Sequence, residues 1–197
     1  MANAWIASLR HCITNLTRTS GRDRRDQFWP YVGTVFAGVF LVWEVSFSVA
    51  ISRLQKVIVT NPDAISVASG PGVFSAHFHV PSPPQVANMF NALLLVMAII
   101  ALITIFLLAA AAVRRLHDRG SSGWWGILPI PFLLFGFAGF GYFQSQMGGG
   151  GQPPMGLFMA MFFNNFIYIV CLVILIVMLA SKSNPADNRY GPIATDS

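Results

Sequence analysis

Polar residues break this chain only at long intervals, and between the breaks lie four apolar stretches, 28–52, 88–113, 124–143 and 157–181. Each supplies about the 20 residues that a helix needs to cross a hydrocarbon layer, with a surplus for tilt or interfacial turns. The competing reading is a set of helices buried in a soluble core. It fails because the loops and tails are too short to cover four such helices with polar surface. The pattern predicts an all-α, polytopic membrane protein, a compact four-transmembrane-helix bundle filling 20–191 as one membrane domain. Ahead of it Trp5, Ile6, Leu9, Cys12, Ile13 and Leu16 return on one helical face, with Arg10, Asn15 and Arg18 off the stripe. That spacing predicts an N-terminal interfacial amphipathic helix within 1–19. Because Asn3, Arg10, His11 and Asn15 interrupt it, the segment is not expected to be a cleaved signal.

Composition agrees with the hydropathy: hydrophobic residues are 55% of the chain and charged residues 10%, outside the balance of soluble domains. Charge placement adds an orientation. Arg10, Arg18, Arg22, Arg24 and Arg25 precede the first span, Arg114, Arg115 and Arg119 separate the second from the third, and Lys182 and Arg189 follow the fourth. Four crossings put all of these on one side and leave Arg53 and Lys56 on the other. The positive-inside bias then predicts a bacterial inner-membrane protein with both termini cytoplasmic. The net charge of +5 reads as a topology and anionic-lipid signal, and nucleic-acid binding is not expected. On the external side, 53–87 is a loop rich in Pro and Gly, including Pro62, Gly70, Pro71, Pro81, Pro83 and Pro84, expected to form a compact cap or to stay mobile. The Gly/Pro-rich run at 147–155 reads as a flexible turn, and 182–197 as a cytoplasmic tail.

Within the spans Glu44 stands out, since a carboxylate there is costly unless it faces protein, water or a basic partner. It is a candidate proton or cation ligand, or a structural Glu reaching toward Arg53 or Lys56. Asn88, Asn91, Asn164 and Asn165 are the polar groups it would face in a transport path. Pro129 and Pro131 are expected to bend the third span, and Gly136, Gly139 and Gly141 to admit a close helix neighbour.

Three polar segments frame the spans on the basic side. In 114–125, Gly120 and Gly123 permit a tight turn, Ser121 or Ser122 can cap the next helix, and Trp124 and Trp125 suit its interfacial end. Arg114, Arg115 and Arg119 can hold lipid phosphate, with Asp118 orienting an Arg or His117. In 20–29, Ser20 and Asp23 have capping-box-like spacing, and Arg22, Arg24, Arg25 and Asp26 enter the same layer. The third segment, 184–191, brings Arg189 and Tyr190, where Arg/Asp pairing and Tyr190 hydrogen bonding can lock the bundle.

Gly21-Arg22 through Phe28-Trp29, Arg114-Arg115-Leu116-His117-Asp118 with Gly120 and Ser122-Gly123-Trp124-Trp125, and Asn188-Arg189-Tyr190-Gly191 are motifs in which the sequence resembles the membrane family known as domain of unknown function 805. They bracket nearly the whole chain in the family's order. The resemblance implies a small bacterial inner-membrane protein with several helices. It brings no catalytic residue set and no substrate.

Chemistry is otherwise thin. His77 and His79 share a face of an extended segment but lack third and fourth ligands, so no metal site is expected. Cys12 and Cys171 are too far apart for a favoured disulfide. No catalytic residues and no cofactor are assigned. The reading is a structural or accessory protein that organises anionic phospholipid, or another inner-membrane or envelope protein, through Arg22, Arg24, Arg25, Arg114, Arg115, His117, Asp118, Arg119, Arg189 and Tyr190. Homo-oligomerisation stays open. One alternative is a transporter or channel subunit using Glu44. Another is a membrane enzyme with His117 and Asp118 at a cytoplasmic-face site, more weakly supported because adjacency alone does not give proton-transfer geometry.

Overall fold

A computed structural model describes residues 2–60, 65–70, 73–78, 84–148 and 154–192. Its elements are helices α1 (Ala2–Thr14), α2 (Arg25–Thr60), α3 (Pro84–Asp118), α4 (Ile130–Gly148) and α5 (Met155–Ala180), strands β1 (Ile65–Gly70) and β2 (Val73–Phe78), and a short 3-10 helix, Gly123–Ile127. Four helical stretches, Arg25–Thr60, Asn88–Asp118, Gly123–Gln146 and Met155–Ala180, are long and apolar enough to cross a membrane. The chain is therefore an all-α membrane fold with a minor β addition.

That addition lies where a loop was expected. α2 runs on to Thr60 and α3 starts at Pro84, so helix occupies both ends of 53–87. Between them β1 and β2 pair antiparallel, from Ile65 opposite Phe78 to Gly70 opposite Val73, in a stretch whose Val, Ile and Phe residues suit a pleated strand. His77 sits in β2, and His79 lies outside the described residues, as do 149–153 of the predicted glycine turn.

Within the bundle the spans associate most closely as two antiparallel pairs, α2 with α3 and α4 with α5, and α3 joins the pairs by touching both α4 and α5. Their common core lies at one end: Cys12, Phe28, Tyr31, Val32, Ala111, Leu116 and Leu179 come from α1, the start of α2, the end of α3 and the end of α5. Tyr31 anchors the first pair by donating to the Leu107 carbonyl at 2.8 Å. Beyond that end large apolar side chains such as Phe40, Leu102, Phe106 and Phe166 are exposed. Hydrocarbon is as apolar as these side chains, so the hydrophobic effect does not draw the helices together along their length, and close packing or a hydrogen bond must do so.

α1 lies against the first turns of α2. Ser8 donates its hydroxyl to the Gln27 carbonyl, the Cys12 thiol points at the same oxygen from 3.7 Å, and Trp5 Nε1 donates to Thr34 Oγ1 at 3.0 Å. The apolar stripe is thus divided, with Cys12 buried and Trp5, Ile6 and Ile13 exposed. The entry into α2 also differs from the expected Ser20/Asp23 box. The Arg24 N–H donates to Gln27 Oε1 at 3.2 Å, the glutamine half of a capping box one turn further along, while Ser20 accepts from Arg18.

The third span opens with the expected cap, Ser122 accepting from the Trp124 N–H at the start of the 3-10 helix. Pro129 and Pro131 flank the first residue of α4, where the 3-10 helix and a turn give way to α-helix. A missing N–H costs nothing in a first turn. Gly123 is required for a different reason: a Cβ there would meet Val113 Cγ1 at 2.8 Å and Cγ2 at 3.2 Å, and β-branched Val cannot swing away. Gly123→Ala is expected to lower the melting temperature in detergent, by an overpacking penalty of about 1–3 kcal/mol. Adding Val113→Ala to the same chain is expected to recover much of the loss; no recovery would mean that this contact does not set the α3–α4 junction.

Candidate functional site

At the clasped end, segments far apart in sequence surround five buried charges: Arg22, Asp23, Arg114, Arg115 and Asp118. Arg115 and Asp23 are the most deeply buried of the five. Asp23 accepts from Arg114 Nε at 2.9 Å through Oδ2 and meets His11 Nε2 at 3.0 Å through Oδ1. Asp118 accepts from Arg22 Nε at 3.1 Å through Oδ1, and from Arg115 Nη1 through Oδ2. Ions taken out of water stay charged only when paired and hydrogen-bonded, and here each carboxylate receives two nitrogen partners.

Three guanidinium groups against two carboxylates leave an excess of positive charge. Helix C-termini absorb it, because their last carbonyls lack partners and carry partial negative charge. At α5, Met178 O accepts from Arg119 Nη1 at 2.8 Å, Leu179 O from Arg115 Nε at 2.9 Å, Ala180 O from Arg25 Nη1 at 3.3 Å and Ser181 O from Arg115 Nη2 at 2.6 Å. The end of α3 is closed by Arg22 Nη2 and the Asn184 N–H on Asp118 O, at 3.1 and 3.0 Å, and by Asn188 Nδ2 on His117 O at 3.0 Å. Beyond α1, Asn15 O and Arg18 O accept from Arg114 Nη1. Arg22 also donates to Asn184 O at 2.7 Å and Ala186 O at 3.0 Å, which ties the tail to the segment before α2.

His117 and Asp118 are neighbours in sequence with separate surroundings. The His117 ring stacks on the Tyr190 ring with centroids 3.8 Å apart and planes 5° from parallel, and Arg189 Cζ lies 4.7 Å from the Tyr190 ring centroid. Tyr190 therefore acts through its ring, where a hydroxyl hydrogen bond was expected. Asp118 faces Arg22 and Arg115 rather than His117. Two polar atoms stay unpartnered in this buried region, Arg114 Nη2 and His117 Nδ1.

Among the expected ligand residues, Arg22, Arg114, Arg115 and Asp118 point into protein, Arg119 and Arg24 are half-buried, and Arg25 and Arg189 are exposed. Glu44 is apart from all of them, exposed on α2. Asn164 donates to Phe132 O at 2.9 Å across the α4–α5 pair, and Asn165 is exposed beside it. No group of three or more metal-ligating residues occurs among the described residues. Sequence reasoning passed over Asp23 as a ligand of arginine, along with His11, Asn15, Ser183 and Asn184. Asp23 was findable: with 7 acidic residues in the whole chain, buried arginines have few candidates for a counter-ion.

The motifs expected to meet across the fold do meet, and all lie inside the segment that matches a known family, residues 16–192, described as Protein of unknown function (DUF805). The chain belongs to this family. No curated protein and no solved structure matches it. In this DUF805 member the three family motifs are the walls of one ion-pair clasp.

Cys12 offers a readout of that clasp. Burial, with the Asp23 charge adding and Arg114 opposing, pushes its thiol up to about 11, so about a thousandth is thiolate at pH 8. Cys12 is expected to alkylate slowly in the folded protein. Arg115→Gln, which leaves Asp118 and the α5 carbonyls short of donors, is expected to destabilise by about 3–5 kcal/mol and to speed Cys12 alkylation, followed by peptide mass mapping. Arg115→Lys is expected to rescue little, because one ammonium cannot reach Leu179 O, Ser181 O and Asp118 together. Full rescue by Lys would reduce Arg115 to a generic charge.

Proposed function

We propose that this protein is an accessory component of a bacterial inner membrane, with both termini cytoplasmic, that gathers anionic phospholipid around its basic end. The observation that carries the reading is a division of labour among the basic residues. Arg22, Arg114 and Arg115 face inward and close helix ends, whereas Arg10, Arg18, Lys182 and Arg189 are exposed around them. Next to this rim α1 exposes Trp5, Ile6 and Ile13, side chains suited to the boundary between headgroups and acyl chains. A basic rim beside an apolar strip fits a phosphate layer, and each Lys or Arg near an anionic surface contributes about 1 kcal/mol. Orientation by the positive-inside bias puts the rim against the cytoplasmic leaflet, where anionic headgroups supply the counter-charge.

Binding is then shared among several exposed cations, while the buried arginines hold the surface in shape. Native mass spectrometry on protein taken from nanodiscs containing phosphatidylcholine and phosphatidylglycerol tests this. Wild type is expected to retain phosphatidylglycerol selectively, and a chain with Arg10→Gln, Arg18→Gln and Lys182→Gln is expected to lose that selectivity with its slow Cys12 alkylation intact. Equal retention by the two chains would sink the lipid reading. The orientation has its own check, in which a Cys placed at 182 must react with an impermeant maleimide only from the cytoplasmic side.

A further inference from the structure

Glu44 is the one acidic residue within the predicted spans, and it makes no hydrogen bond or ion pair among the described residues. On α2 the half-buried positions Val35, Val39, Trp43, Ser46, Ala50 and Leu54 follow a three-and-four spacing that marks the face turned to α3. At 100° per residue Glu44 falls on the opposite side, in a stripe with the exposed Ala37, Leu41 and Ser48. This carboxyl is directed out of the chain into the layer where lipid tails supply no hydrogen bond.

A complementary feature lies on the second helical pair. α4 and α5 enclose a groove of about 500 Å³ lined by Gly136, Phe140, Phe158, Met161, Asn165 and Ile169, among others. Gly136 gives it a low floor, while Asn164 is occupied by its bond to Phe132 O. Asn165 is exposed and makes no hydrogen bond among the described residues, so the groove combines an apolar trough with one free amide.

The two features lie at similar depth. Arg25 Nη1 on Ala180 O, at 3.3 Å, levels the start of α2 with the end of α5. Glu44 is nineteen residues above Arg25 and Asn165 fifteen below Ala180 in sequence, which at 1.5 Å per residue puts them about 28 Å and about 22 Å from that level. A glutamate and an asparagine side chain together span the difference. A bilayer holds all copies of one chain at the same height and the same way up, so the depth match inside one copy becomes a match between copies.

We infer that the protein self-associates in the membrane, with the Glu44 face of α2 from one copy seated in the α4–α5 groove of another and its carboxyl hydrogen-bonded to Asn165. A second copy is the fitting occupant because it brings a polar group at the right height, which a lipid tail does not. The small residues Ala37 and Ser48 on the α2 face and Gly136 in the groove let the backbones approach. The interface lies within the spans and does not depend on the lipid-gathering role of the basic end.

Cross-linking in membranes tests it. In chains carrying Cys12→Ala and Cys171→Ala, differently tagged copies with Ser48→Cys, one turn from Glu44 on the same stripe, and Phe162→Cys, one turn from Asn165 in the groove, are expected to form a mixed dimer on oxidation with Glu44 and Asn165 intact. Copies with Leu102→Cys, another exposed apolar-layer position, are not expected to link to Phe162→Cys. Absence of the 48–162 product, or equal linking from 102, overturns the interface. Counting subunits in vesicles by single-molecule photobleaching gives the second measurement: Glu44→Ala is expected to weaken association about tenfold, and Glu44→Gln, which still hydrogen-bonds an amide, to preserve it. Wild type that is monomeric at every protein-to-lipid ratio, or Glu44→Ala that associates as well as wild type, likewise overturns it.

Discussion

Five charges withdrawn from water at one end of the molecule hold everything else in register. Arg22, Asp23, Arg114, Arg115 and Asp118 are buried together, and such groups are tolerable only as a complete set, because removing one strands its partners in a medium that cannot solvate them. Their completeness depends on helix ends as much as on ion pairs. The carbonyls closing α5 and α3, and those following α1, would otherwise be left without donors at the membrane boundary. One device thereby solves two problems, and it explains why arginine is used where lysine would carry the same charge. A planar fork with five donors can serve a carboxylate and two separate carbonyls at once, as Arg115 does with Asp118, Leu179 and Ser181.

Much of this architecture was legible in the sequence, since the bilayer leaves a wide signature. Spans, the placement of basic segments on one side, and the cap at Ser122 follow from local rules. What escaped was nonlocal. Hydropathy says how long a helix is and nothing about its neighbours, so which spans pair most closely within the bundle, α2 with α3 and α4 with α5, was not readable. The hairpin of β1 and β2 was hidden by the Pro and Gly residues around it, which outweighed short strands. Arginine clusters next to Trp look alike whether they face phosphate or protein. Only the burial of Arg114 and Arg115 separates them from the exposed Arg25 and Arg189. Tyr190 was assigned to the right place with the wrong part of its side chain, because stacking on His117 depends on the turn at 188–191.

The two ends of the molecule obey different physics. Near the basic end, packing is intimate, with Gly123 against Val113 and Tyr31 bonded to the backbone of α3. Further along, α2 and α3 leave α4 and α5 largely to themselves, and the membrane supplies the solvent that a core would otherwise exclude. Such a molecule is stiff where its motifs lie and adaptable along its lateral surfaces, where polar groups such as Glu44 and Asn165 stand out because so few others accompany them.

The length of chain enclosed by the clasp has a consequence for how the protein is made. Arg22 reaches partners in the tail, Asn184 and Gly191, that lie 162 and 169 residues later. During synthesis its charge, with that of Asp23, emerges before the first span and must stay hydrated at the membrane surface while four helices are inserted in turn. The end of α3 is left open for the same interval, because Asn184 and Asn188 follow the fourth span. Closure therefore waits for the last of the four helices, and a ribosome that stops before Asn184 yields a chain that is inserted yet unlatched, with unburied charge and uncapped helix ends for quality control to recognise.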